Sequence, residues 1–297
     1  MANLRANKIV GIGSTDAGTN FDGPISLNTQ GYMYFPTGVT THRGRGRGFY
    51  MLGYSGTPSP SPSSRIDYIN IQSQGYSIRF GSLTANRYTL GAGSNSTRGL
   101  FTGGYVEGNS PDTDVNIIEF ITIATTGDAS DFGDITVYSQ GSQACASPTR
   151  AVRGAGAGNP ANQRVMDFVT IATKGDAINF GELASISGLF PASLSSTTRG
   201  IFAGGSTPTK LNTIEFITIA TLGNATNFGD LTVITYGAAG SSNQVRGVIG
   251  GGGNPSGDRN EINLITIASA GDASDFGDLT TARVTLAGCS DSGGGLG

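Results

Sequence analysis

The sequence predicts an all-β fold of five repeated units, each folding as one four-stranded antiparallel sheet, and three observations carry that reading. Near-identical segments recur along the chain: IEFITIATTGDASDFGDIT from Ile118, MDFVTIATKGDAINFGELA from Met166, IEFITIATLGNATNFGDLT from Ile214 and INLITIASAGDASDFGDLT from Ile262. A divergent copy, IDYINIQSQGYSIRFGSLT, begins at Ile66, so the copies start about 50 residues apart, a period long enough for one small sheet per repeat. Finally, apolar residues make up 37% of the chain but sit in short β-rich runs broken by Gly, Asn, Asp and Ser, with 48 Gly in all. That pattern is one of short strands joined by tight turns.

The strands follow in order within a unit. From Leu83, the small-residue run RYTLGAGSN predicts a first strand, and RGLFTGG (Arg98 to Gly104) a second that stops at a double Gly. In NIIEFITIA (Asn116 to Ala124) β-branched and aromatic residues crowd both faces, which suits a third strand sandwiched between neighbouring sheets. The turn GDASD then leads into FGDIT, the fourth strand. The tail VTLAGCSD (Val284 to Asp291) repeats a first strand, whereas the first unit opens at RGFYMLGY (Arg47 to Tyr54), already a second strand. The tail is therefore expected to complete the first sheet and close five sheets into a β-propeller without a free edge. On this reading residues 41–297 form the propeller and residues 1–40, which do not fit the repeat, form an N-terminal arm.

The order LTTAR…RGIFAGG…NTIEFITI…FGDL resembles the kelch repeat, with its double Gly closing the second strand, over roughly Arg47 to Asp291. Phe stands where kelch repeats usually carry Trp, and the chain has no Trp. The repeat style together with the opening MANLRANKI is similar to structural proteins of tailed bacteriophages, marine ones especially. That resemblance implies a non-enzymatic virion protein: a capsid decoration, a knob or a tail- or fibre-associated propeller. Its partners would be capsid or tail proteins, reached through the arm, with loops presented to protein or to host-surface glycan. The other class is a soluble carbohydrate- or protein-binding propeller unrelated to virions.

Repeated residues read mostly as architecture. Phe80, Phe132, Phe180, Phe228 and Phe276 are expected to fill the gaps between adjacent sheets, where a ring contributes roughly 1.5–3 kcal/mol by burial. Arg47, Arg98, Arg150, Arg199 and Arg246 run in parallel with Asp67, Glu119, Asp167, Glu215 and Asn263, which suggests a structural Arg–carboxylate pair in four of the five units, with a ring of Arg gripping an anion at one face as the alternative. The acidic turn holding Asp128, Asp131 and Asp134 invites a calcium reading, but other copies replace Asp128 by Asn224 and Asp131 by Asn179 or Asn227. Both residue types suit turns, so turn formation is the better account. Cys145 and Cys289 hold equivalent places in non-adjacent units and are expected to be free, buried thiols.

Catalytic chemistry has little footing. The predicted innermost runs carry no pair of carboxylates for acid/base work, only Asp291 at their end. His42, the single His, lies outside the repeats, and GAGAG precedes no helix, so neither a triad nor a dinucleotide fingerprint is present. No cofactor is expected. A net charge of −3 argues against a general nucleic-acid binder, despite the short basic patch RGRGRG from Arg43 to Gly48. No apolar run is long enough to span a bilayer, and the N-terminus does not read as a secretory signal. Specific contacts are expected in the loops that differ between units, with Tyr105, Asn159, Lys210 and Asn254 as candidates.

Overall fold

A computed structural model describes residues 47–51, 54–55, 61–70, 75–106, 113–159, 161–186, 188–206 and 209–288. All belong to the larger of the two units into which the chain divides, Met1–Thr40 and Thr41–Gly297. The predicted arm, His42, residues 43–46 of the basic patch, Cys289 and Asp291 lie outside the described residues.

Among the described residues the secondary structure is entirely β. Sheet II consists of Gly91–Ser94, Arg98–Thr102, Ile117–Thr122 and Ser130–Asp134, paired antiparallel in chain order. Sheet III (Gln143–Ala146, Arg150–Gly154, Val165–Thr170, Ile178–Glu182) repeats that meander. So do sheet IV (Ala192–Ser195, Arg199–Ala203, Thr213–Thr218, Thr226–Asp230) and sheet V (Ala239–Ser242, Arg246–Gly250, Glu261–Thr266, Ser274–Asp278). Sheet I shows the second to fourth strands, Arg47–Met51, Arg65–Asn70 and Ile78–Ser82.

The core is a set of seams between successive sheets. In the third strand of sheet II, Ile121 packs with Ile66 and Phe80 of sheet I, while Ile118 packs with Ala151 and Val169 of sheet III. Three residues apart, the two isoleucines point to opposite faces, which is why this strand needs apolar groups on both. The first strands stack on one another through small residues. Ser193 and Ser195 donate from Oγ to the carbonyls of Ala144 and Ala146 (both 2.9 Å), and Ser242 donates to Ser195 O at 2.8 Å.

The FG pair of each repeat has a specific geometric job. The ladder between third and fourth strands pairs Glu119 with Asp131 and Ile118 with Gly133, leaving Phe132 as the extra residue of a β-bulge. The same shift singles out Phe80, Phe180, Phe228 and Phe276. The bulge turns the ring into the seam, edge-on to a third-strand ring: Phe120–Phe132 centroids lie 5.9 Å apart. Gly133 follows at φ +148°, and a Cβ there would collide with the carbonyl of Gly175 in the next sheet. Four of the five Phe are buried as expected, but Phe276 is 56% exposed, because among the described residues no turn is laid against the outer strand of sheet V.

The acidic turn also acts across a seam. Gly175 and Ala177 donate their backbone N–H to the carbonyls of Phe132 and Asp134, while Asp176 Oδ1 accepts the N–H of Asp134 at 3.0 Å. Asp128, Asn224 and Asp272 bind Ser82, Glu182 and Asp230 in the same way, at 2.9–3.0 Å. Either Asp or Asn supplies the one acceptor required, which accounts for the alternation in sequence.

Beyond sheet V, residues 279–288 follow the path of a linker into a further first strand. Leu286 N–H donates to Gly237 O at 3.1 Å, as Gly237 does to Phe190 (2.9 Å) and Phe190 to Gly141 (2.8 Å). Gly288 lies against the Gly240 carbonyl just as Gly240 lies against that of Ser193, close enough to exclude a Cβ in both cases.

Candidate contact surface

The repeated Arg and carboxylate residues do not pair with each other. Glu119 sits opposite Phe101 in the ladder, three residues from Arg98, which puts the two on opposite faces about 10 Å apart. Arg98 instead lies 4.8 Å over the ring of Phe120 and donates to the carbonyls of Ile171 and Ala172 in the next sheet, at 2.7 and 2.9 Å. Arg150 and Arg199 repeat this with Phe168 and Phe216 and with Ile219 and Ile267. Arg47 stacks on Tyr68 and donates to Ile123 O, whereas Arg246 of sheet V is exposed.

The third-strand acids hold the linker that enters their own sheet. Glu215, fully buried, accepts from the N–H groups of Ala184 (2.8 Å), Ser185 (2.6 Å) and Ile186 (3.1 Å) and from Ser185 Oγ. Asn263 does the same for Thr232 N–H and Oγ1, at 2.9 and 2.7 Å. Glu119 accepts Thr84 N–H and the guanidinium of Arg87, while Asp167 accepts Thr136 Oγ1 and both Nε and Nη2 of Arg153. Asp67 is less enclosed and accepts from Arg65 at 2.7 Å. Arg87 and Arg153, the buried cations, escaped the sequence reading because they come from different repeat positions. The position of Arg87 does recur once, as Arg283 in the tail (NRYTLGAG against ARVTLAGC).

Hence the five buried charged residues among the described ones, Arg87, Glu119, Arg153, Asp167 and Glu215, all serve the frame. Two clefts stand out there: a void of about 10 Å³ between sheets II and III, and a groove of about 110 Å³ beside Leu222 and Asn224. Neither approaches the roughly 300 Å³ of a small-molecule pocket. No grouping of three or more His, Cys, Asp or Glu suited to a metal occurs among the described residues. Cys145 is free and buried, and burial pushes its thiol up to about 12.

What varies between units is the row of loops joining second to third strands, and these loops are docked. Tyr105–Val106 pairs with both Thr113–Asp114 and Arg87–Tyr88, and the rings of Tyr88 and Tyr105 meet at 5.5 Å. Ala157–Asn159 pairs with Tyr138–Gln140, setting Asn159 opposite Tyr138. Lys210 Nζ lies 4.2 Å over the ring of Tyr236, whose backbone bridges to Gly253 of the next loop. Asn254 closes its turn by accepting Ser256 N–H at 2.8 Å. Asp114, its carboxyl pushed up by burial and drawn back by a hydrogen bond from Gln140, joins the loop of sheet II to the linker of sheet III. Thus the four loop residues expected to make contacts lie in loops tied into one frame. Sequence reading missed the linker tyrosines beside them, Tyr88, Tyr138 and Tyr236.

No protein-family model matches the chain, and no curated protein matches it. A solved structure titled "Structure of YjhT" is similar, with a TM-score of 0.63 at 9% sequence identity over 76% of this chain and 81% of that one. Likeness at that identity speaks for the fold alone: an all-β, propeller-like arrangement of antiparallel sheets.

Proposed function

We propose that this chain is a non-enzymatic, kelch-like five-bladed propeller serving as a structural component of a tailed-phage virion. Its N-terminal segment attaches it to capsid or tail, and its row of docked loops meets protein or host-surface glycan. The observation that carries the reading is the division of labour among polar groups. Buried charges are spent on linkers and seams, while the groups that differ from unit to unit gather on the loop row. Rigid display of variable loops is binding architecture. Closure of five sheets is supported by the course of residues 279–288, which take the next step of the first-strand stack after sheet V. The virion assignment rests on the resemblance of the repeats and of MANLRANKI.

Proteomic inventory of purified particles tests this. The chain is expected among the virion proteins, and deletion of residues 1–40 is expected to remove it from particles while leaving the β domain folded. Absence from particles, combined with a defined glycan bound on an array, would favour the soluble lectin-like module instead.

A further inference from the structure

The four seams among the described residues share two ties, and the one that would close the ring lacks both. At each described seam an Asp or Asn of the incoming turn caps a backbone N–H: Asp128, Asp176, Asn224 and Asp272. Sheet I carries Tyr76 at that place, 97% exposed. Each seam is also crossed by an Arg stacked on a third-strand ring, over Tyr68, Phe120, Phe168 and Phe216. In sheet V the equivalent of those rings is Leu264, and Arg246 is exposed. On the other side, Gly277 also faces open space and Phe276 is uncovered, although they copy the Phe–Gly pairs that receive a turn elsewhere. The turn Gly75–Tyr76–Ser77 is the complementary piece, since Gly127–Asp128–Ala129 is what covers Phe80 and Gly81.

We infer that an ion pair between Arg283 and Asp67 latches this last seam, which is the point at which the ring opens; the inference rests on the closed-ring reading above. Arg87, in the linker entering sheet II, pairs with Glu119 of that sheet's third strand. Arg283 holds the same linker position after sheet V, where its carbonyl accepts Gly252 N–H as Ser139 O accepts Gly104 N–H. The third-strand acid of the sheet it would enter is Asp67. A tail lying as the first strand of sheet I therefore brings Arg283 to Asp67 as Arg87 is brought to Glu119. With Tyr76 unable to cap Asp278 N–H and Leu264 offering no ring face, this pair replaces two ties found elsewhere.

Hydrogen exchange on the full chain, with charge reversal, tests the latch. Arg283→Asp and Asp67→Arg, each alone, are expected to speed exchange in residues 65–82 and 274–288 at least tenfold relative to sheet III. The double swap is expected to recover most of that loss, and Tyr76→Asp to slow the Asp278 amide. Ser77→Cys, with Cys145 and Cys289 replaced by Ser, reports closure independently. Slow labelling of that thiol together with neutral charge reversals would discard the latch and keep the ring. Fast labelling in the native protein would overturn both, and protection that depends on protein concentration would place the seam between copies rather than within one chain.

Discussion

Asp176 reaches from the turn of sheet III to accept the backbone N–H of Asp134 in sheet II, at 3.0 Å. One acceptor oxygen does the work, so Asp176→Asn should keep the seam, whereas Asp176→Ala should lose about 1 kcal/mol in denaturant unfolding. The charge itself is a burden. Asp134's carboxyl is pushed up by partial burial and then by Asp176 and Asp131. A raised folded value favours the protonated acid, so that stability is present at low pH and is lost as pH rises through the titration. Asp176→Asn should therefore compare better with the parent at pH 7 than at pH 3, measured by midpoint shifts.

Gly229 follows the bulge residue of sheet IV at φ +150°, with the Gly271 carbonyl where its Cβ would be. Gly229→Ala must push two backbones apart, and such overpacking costs about 1–3 kcal/mol. Gly257→Ala, in an open turn at φ +132°, meets no atom and isolates the conformational part. Chemical denaturation should rank Gly229→Ala as clearly the worse of the two.

Phe228→Ala should cost about 3–5 kcal/mol, since the ring is buried between sheets IV and V. Phe276→Ala gives the comparison. In a closed ring its cost approaches that of Phe228→Ala. With sheet V uncovered it stays within about 0.5 kcal/mol, as for a surface residue.

Cys145 should resist modification in the native state and react only as the protein unfolds. Its thiol is pushed up to about 12 by burial, so the folded state prefers the neutral form. The stability this confers is complete at neutral pH and is lost as pH climbs through the ordinary thiol range toward 12. Ellman-reagent kinetics should track the unfolding rate, and Cys145→Ser should flatten the alkaline limb of the stability profile.

Strand order and the apolar third strand were legible because each leaves a periodic mark in the sequence. Four of the five FG phenylalanines were placed correctly in a seam for the same reason, and Phe276 was not. The partner of each Arg was not legible. Arg98 and Glu119 recur in step, but periodicity says nothing about face, and the bulge at Phe132 intervenes between strand count and geometry. Backbone carbonyls such as Ile171 O carry no sequence signature at all. The docked loops illustrate the opposite case. Tyr105 was visible as an aromatic in a polar loop, but its neighbour Tyr88 lay hidden in a linker that only folding brings alongside.

The bulge-and-turn contact has a corollary for the repeats. Each joint is formed between the finish of one unit and the turn of its successor, through main-chain atoms plus a single Gly and a single Asp or Asn. Nothing in that one contact distinguishes the turns of sheets II to V, whereas sheet I, with Tyr76 in place of the Asp or Asn, does not offer it. The four later copies are therefore interchangeable at this contact, and the first copy is not.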